Sequence, residues 1–207
     1  ANMVPDVVSS DTMGEVLVDK TLSGGTRIVC YWAPGTEYTK YWAIRTGDTL
    51  LRFCEEDSAY AGGYDVTEYT NVLGHDGFRI EGFRGAAYYA YDYYYLDDAG
   101  RPRLLIDSAS EVIEADFNGD GTRELIWFYH GHNEAYYGFR RDGVMYRASL
   151  IRMLEEAFPQ WERIVIPDIG SEIYSDLQLR CSYVRDGETH TAAIAFLPDA
   201  LQVERVS

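Results

Sequence analysis

Tight-turn signals recur along the chain, each between two short runs of β-forming residues. They are the pairs Gly24-Gly25, Pro34-Gly35, Gly47-Asp48, Asp142-Gly143 and Asp186-Gly187. Such pairs supply the turn conformations that join neighbouring antiparallel strands. Short strands separated by turns at intervals of about eight to twelve residues are typical of sandwiches and propellers. The sequence therefore predicts a mainly β fold of antiparallel hairpins and meanders, propeller-like or sandwich-like.

The predicted strands alternate with these turns. An opening meander is expected over residues 16–20, 27–32, 41–45 and 50–54. Later strands are expected over 78–83 after a turn at Asp76-Gly77, 87–96 with 103–106, 136–140 with 144–148, and 178–184 with 190–196. The segments around 93–106 and 137–146 resemble each other at a spacing of a little over ~40 residues, which is a blade-like period.

Only one segment has helical periodicity. Ser149 can cap a helix, Leu150 and Leu154 lie on one apolar face, and Pro159 would end it. One short helix is expected near 149–158. We expect a single domain over 1–207, made of an irregular N-terminal meander (1–70), blade-like hairpins (71–147) and a helix with a C-terminal hairpin (148–207).

An acidic loop between two strand-like segments has the residue pattern of a calcium site. Its oxygen donors stand at alternate positions: Asp116, Asn118, Asp120, the Thr122 carbonyl and Glu124. Calcium takes six to eight oxygen ligands in flexible geometry, and Gly121 permits the sharp bend that brings these groups together. The alternative is an acidic turn that binds nothing.

The loop resembles the calcium loops of integrin-type repeats, the FG-GAP or VCBS kind, over about residues 111–129. The shared pattern is D-x-[DN]-x-D-G-x-x-[DE]-[LI], with Glu124 where the family commonly has aspartate. An EF-hand would need a glutamate at position 12, where this chain has Trp127. The resemblance implies a structural Ca2+ in a β-propeller blade, and an exported bacterial protein used for binding or adhesion.

A tyrosine-rich segment is the second candidate site. In a strand, Tyr89, Tyr91, Tyr93 and Tyr95 would share one face. Tyrosine rings with polar tips suit the recognition of a glycan or a protein, and Trp32 and Trp42 could extend such a platform. The alternative is a sheet face packed on its neighbour.

Three weaker patterns remain. His130, His132 and Glu134 lie at alternate positions and could hold a transition metal, although a solvated turn explains them as well. The adjacent acids at 55–57 are interpreted as a solvated face. Three cysteines, Cys30, Cys54 and Cys181, leave the disulfide state open.

Composition limits the classes of partner that we expect this chain to bind. The formal net charge is −16, which argues against binding to nucleic acid or an anionic membrane surface. No apolar run is long enough for membrane insertion, and no catalytic motif is present. From these features, together with the resemblance to integrin-type calcium loops, which implies export, we expect an extracellular or cell-surface, non-enzymatic module whose partner is a protein or glycan. A signal peptide would then have been removed. A glycan-active hydrolase with an aromatic substrate platform, or an accessory domain of a larger assembly, remains the alternative.

Overall fold

The residues group into two compact units. The structure is a computed structural model that describes residues 2–57, 63–84, 89–129, 134–166, 179–197 and 200–206. Unit 1 comprises Ala1–Tyr69 with Gly77–Asp107, and unit 2 comprises Thr70–Asp76 with Ser108–Ser207. The single domain expected from the sequence stays a prediction.

Unit 1 contains one antiparallel sheet and most of a second, three of whose strands end or begin in residues of unit 2. The first has the order β1-β5-β4-β3-β2, with β1 (Asn2–Ser9), β2 (Val16–Thr21), β3 (Arg27–Trp32), β4 (Thr39–Thr46) and β5 (Thr49–Asp57). The second has the order β6-β7-β8-β9, with β6 (Asp65–Val72), β7 (His75–Phe83), β8 (Tyr89–Leu96) and β9 (Pro102–Ala109). A short 3-10 helix over Ser10–Thr12 follows β1.

Side chains from both sheets share one hydrophobic core, so unit 1 is sandwich-like. Trp42 and Phe53 come from the first sheet, and Phe78 and Tyr94 come from the second. The Phe53 and Tyr94 rings meet edge to face at 5.0 Å, and Phe78 stacks on Tyr94 at 5.5 Å. Aromatic pairs in these arrangements add to the free energy gained from burial alone.

Unit 2 repeats this plan with two further meanders. The third sheet has the order β10-β11-β12-β13, with β10 (Glu111–Ala115), β11 (Glu124–Phe128), β12 (Ala135–Arg141) and β13 (Val144–Ser149). The fourth has the order β14-β15-β16-β17, with β14 (Glu162–Val165), β15 (Leu179–Arg185), β16 (Glu188–Leu197) and β17 (Ala200–Val206). Ile126 and Tyr137 of the third sheet share a core with Ile194 and Phe196 of the fourth. The predicted mainly β class is confirmed.

The predicted helix is confirmed as α1 (Leu150–Ala157). The Ser149 hydroxyl accepts a hydrogen bond from the Arg152 N–H at 3.3 Å, as an N-cap residue should. Leu150 and Leu154 are buried in the core of unit 2. Among the described residues, none of the helical segments has the length and apolar character needed to cross a membrane.

One predicted turn is wrong. Asp76 and Gly77 lie within β7, and the turn falls three residues earlier, at Leu73 and Gly74, whose φ angles are 50° and 76°. Gly77 serves packing, because a Cβ there would collide with the Tyr94 carbonyl oxygen and with the Tyr69 ring. Glycine permits close approach as well as positive φ, and the sequence alone does not separate these two uses.

Candidate metal centre

The acidic loop joins β10 to β11, as the flanking β-formers indicate. The strands pair antiparallel from Glu111 opposite Phe128 to Ala115 opposite Glu124, so the loop closes at the last pair. Gly119 and Gly121 have φ angles of 76° and 87°. These values lie in the left-handed region that favours glycine, and they fold the loop back on itself.

Side-chain oxygens hold the loop by capping its own backbone. Asp116 Oδ2 accepts from the Gly121 N–H at 2.9 Å, and Asp120 Oδ1 accepts from the Thr122 N–H at 2.7 Å. Asn118 Oδ1 accepts from the Asp120 N–H at 2.9 Å. Such local bonds let Asp and Asn form tight loops in place of regular structure.

Three carboxylates converge inside this loop. One oxygen each of Asp116, Asp120 and Glu124 lies within 4.8 Å of the others. An ion held at about 2.3–2.6 Å from each oxygen allows its ligands to be up to about 5 Å apart, so this spacing could hold an ion. The Asn118 amide lies between two of these groups, donating to Glu124 Oε1 at 3.0 Å and lying 3.3 Å from Asp120 Oδ2.

The negative charge in this cluster is poorly compensated. Glu124 is 1% exposed, and burial raises its pKa to about 7, with the charges of Asp120 and Asp116 acting in the same direction. A hydrogen bond from the Phe117 N–H to Glu124 Oε2 opposes this rise only in part. Asp116 Oδ1 is shielded from solvent and accepts no hydrogen bond from any described residue. The cluster therefore suits a cation.

A turn that is distant in sequence is hydrogen-bonded to the acidic loop. The Asn71 side-chain amide donates to the Gly121 carbonyl at 2.6 Å. The Arg123 N–H donates to the Asn71 carbonyl at 2.9 Å, and the Leu73 N–H donates to the Arg123 carbonyl at 2.8 Å. This turn was not predicted, because its local sequence signal is limited to Asn71 and Gly74, which have positive φ angles.

The tyrosine segment divides into buried and half-buried rings. Tyr93 is 0% exposed and packs on Tyr69 at 5.4 Å, whereas Tyr89, Tyr91 and Tyr95 are half-buried. The Tyr89 and Tyr91 rings meet edge to face at 5.4 Å. Tyr93 is thus a packing residue, and only the three half-buried rings can contact a ligand. Trp32 and Trp42 are buried and cannot extend the platform.

A buried ion network in unit 1 is a second constellation that sequence reasoning missed. Lys40 and Glu56 are 0% and 5% exposed and lie opposite each other on β4 and β5. Lys40 Nζ is 3.2 Å from Glu56 Oε1, and the Tyr64 hydroxyl donates to the same oxygen at 2.7 Å. Arg84 bridges Glu56, at 3.5 Å, and Asp92. The interpretation of residues 55–57 as a solvated face is therefore wrong for Glu56.

The remaining candidate residues show no reactive arrangement within the described part of the chain. His130 and His132 lie outside the described residues, and Glu134 accepts a hydrogen bond from the Tyr136 hydroxyl. Cys30, Cys54 and Cys181 are buried free thiols, and burial raises the pKa of Cys181 to about 11. A thiol with a raised pKa stays protonated and is a poor nucleophile.

Comparison with known proteins adds no further assignment. No protein-family model, curated protein or solved structure matches this chain.

Proposed function

We propose that this protein is a calcium-stabilised β-module that binds a protein or glycan outside the cell and is not an enzyme. The observation that carries the calcium part is the convergence of Asp116, Asp120 and Glu124 within 4.8 Å around a carboxylate that is almost fully buried. Export and adhesion are suggested by the resemblance to integrin-type calcium loops.

The ion would have a structural role. Bound Ca2+ would neutralise three carboxylates that otherwise repel one another across one turn. It would also hold the Gly121 and Arg123 backbone in the position where Asn71 and Leu73 bond to them. The ion would thus stabilise both the end of the β10–β11 hairpin and the turn at 70–76.

Calcium is expected to raise the melting temperature. At a hundred times its dissociation constant, a ligand bound only by the folded state adds about 2.7 kcal/mol. For a chain of this size we expect a shift of roughly 5–10 °C. Differential scanning fluorimetry with EGTA and with millimolar CaCl2 measures it.

The variants for this test separate ion binding from loop folding. Asp120→Asn keeps an oxygen that can accept a hydrogen bond from the Thr122 N–H but loses the charge. We therefore expect this variant to lose most of the rise in melting temperature that calcium causes. Asp98→Ala, at an exposed turn residue, is the matched control and should keep the full calcium-dependent rise in melting temperature. Equal melting temperatures with and without calcium in the unmodified protein would refute the site.

Calcium stabilisation is expected to grow with pH. The folded-state pKa of Glu124, about 7, is above its ordinary value of 4.5. Its contribution to stability without metal is therefore fully present below about pH 4.5 and is lost as pH rises through about 7. Calcium binds the ionised form of Glu124, so the rise in melting temperature that calcium causes should increase over the same pH range.

The pH series needs a variant that cannot titrate. In Glu124→Gln, the dependence of the metal-free melting temperature on pH should be shallower than in the unmodified protein between about pH 4.5 and 7. A calcium increment that is constant from pH 5 to 8 would contradict the assignment of Glu124 to the site.

A further inference from the structure

The tip of the β12–β13 hairpin exposes consecutive apolar side chains. Val144, Met145 and Tyr146 are 52%, 40% and 47% exposed. The next residue, Arg147, is also exposed, so this part of β13 is solvated on both faces. Runs of exposed apolar residues are uncommon on a strand unless they serve a function.

One edge of this strand offers its backbone for pairing. β13 is the terminal strand of the third sheet among the described residues. Asp142 and Gly143 have φ angles of 50° and 77°, and Arg141 pairs with Val144 across this two-residue turn. In such a hairpin the hydrogen-bonded and non-hydrogen-bonded pairs alternate, so the N–H and C=O groups of Met145 and Arg147 point away from β12.

Two other positions in the chain differ from this edge. The β15–β16 hairpin has the same Arg-Asp-Gly sequence at Arg185-Asp186-Gly187 but continues with the exposed polar pair Glu188 and Thr189. The edge strand β1 carries Pro5 and a register shift between Asn2 and Asp6. Proline and irregular register are common devices against edge pairing. The β13 edge has neither of them.

The hairpin that carries this edge has more arginines than acidic residues, in a chain that is acidic as a whole. Residues 135–152 contain four arginines and one aspartate, whereas the whole chain has a net charge of −16. Arg147 is exposed on β13 itself, and Arg140 and Arg141 are exposed on the neighbouring strand β12, where Arg140 donates to the Gly74 carbonyl at 3.2 Å. Exposed charges further away than about 8 Å are largely screened at physiological ionic strength. The local arginines therefore determine which partner fits this edge.

We propose that the free edge of β13 accepts an extended acidic segment of a partner protein as an additional strand. Main-chain bonds to Met145 and Arg147 would provide affinity, as in other strand-addition complexes. Alternate partner side chains would lie on opposite faces. Acidic residues would reach Arg147 on the face of Met145, and apolar residues would cover Val144 and Tyr146 on the other face. The inference rests on the proposed binding role, but not on the calcium loop.

A second copy of this chain fits the edge less well. Antiparallel pairing of β13 with its own copy would bring the arginines of both hairpins together, and like charges at close range destabilise a strand pair. An acidic segment meets the same arginines with opposite charge, which favours it.

The test uses a fluorescein-labelled peptide of about ten residues that alternates glutamate and valine, a typical length for a strand. Fluorescence anisotropy with the full chain should show saturable binding. A lysine–valine peptide of the same length, or a glutamate–valine peptide with methylated amides on alternate residues, should not bind.

Two variants locate the binding surface. Met145→Pro removes an outward N–H without removing a β12–β13 hydrogen bond, and it should abolish binding. Arg147→Glu should weaken binding by roughly tenfold or more, whereas Arg185→Glu, at an exposed arginine of the β15–β16 hairpin, should leave it unchanged. Circular dichroism would confirm that each variant is folded.

Three outcomes would overturn the proposal: equal binding of the lysine peptide, full binding by folded Met145→Pro, or a concentration-dependent dimer lost in Met145→Pro. Absence of peptide binding in a sample whose melting temperature still responds to calcium would reject the edge while leaving the calcium-stabilised module intact. Peptide binding by a protein whose melting temperature does not respond to calcium would support the edge and reject the calcium site.

Discussion

Lys40→Met is expected to lower the free energy of unfolding by about 3–5 kcal/mol. Methionine fills a similar volume, so the loss would come mainly from charge. Glu56 is 5% exposed, and its Oε1 would lose the ammonium group 3.2 Å away. Removing one partner of a buried ion pair leaves a charge without compensation, and that is far more costly than losing a pair at the surface. Urea denaturation followed by tryptophan fluorescence measures the change.

Two further variants test this explanation. Lys20→Met, on an exposed position of β2, is the matched control and should change stability by less than about 0.5 kcal/mol. Glu56→Gln introduced into Lys40→Met should recover part of the loss, because the uncompensated carboxylate is removed. A loss below about 1 kcal/mol in Lys40→Met would show that the network contributes little net stability.

Tyr93→Ala is expected to cost about 3–5 kcal/mol of stability, as for other buried aromatic truncations. Its side chain is 0% exposed and packs on Tyr69. Tyr91→Ala, on the same face of β8 but half-buried, should cost much less, on the order of 1 kcal/mol. Chemical denaturation of the two variants under identical conditions gives the comparison.

The same pair of variants tests the tyrosine face as a binding surface. If a glycan or protein binds there, Tyr91→Ala should weaken binding by about 1–3 kcal/mol while the protein remains folded. Tyr93→Phe, which keeps the ring, should retain most of the stability. Equal stability losses in Tyr91→Ala and Tyr93→Ala would mean that both rings belong to the core and that no recognition face exists at this strand.

The sequence predicted hairpins better than it predicted the purpose of individual glycines. The Asp-Gly pairs at 142–143 and 186–187 are turns with positive φ angles at both residues, as expected. The identical pair at 76–77 lies inside a strand, because Gly77 makes room for the Tyr94 carbonyl and the Tyr69 ring. A positive φ angle and a close contact with neighbouring atoms both favour glycine. The close contact, however, depends on residues that the chain brings together only on folding.

At the candidate site, too, the sequence predicted local features but not the contacts between residues far apart in the chain. The spacing from Asp116 to Glu124 is local, so it could predict that the carboxylates converge. The bond from Asn71 to Gly121 joins residues 50 apart and leaves no periodic signal. Glu56 looked solvated because its sequence neighbours are acidic, but its environment is set by Lys40 on the adjacent strand. Interactions across strands are thus what single-sequence reasoning missed.

The bonds between the turn at 70–76 and the acidic loop have a consequence for how the protein can be divided. The turn belongs to unit 2, but residues 77–107 of unit 1 separate it from the rest of unit 2 along the chain. A fragment that begins at residue 108 would lack the Asn71 carbonyl and the Leu73 N–H that bond to Arg123. A fragment that ends at residue 107 would carry that turn without its partner. The two units are therefore not modules that one cut can separate, and a dissection would have to graft residues 70–76 onto the C-terminal fragment.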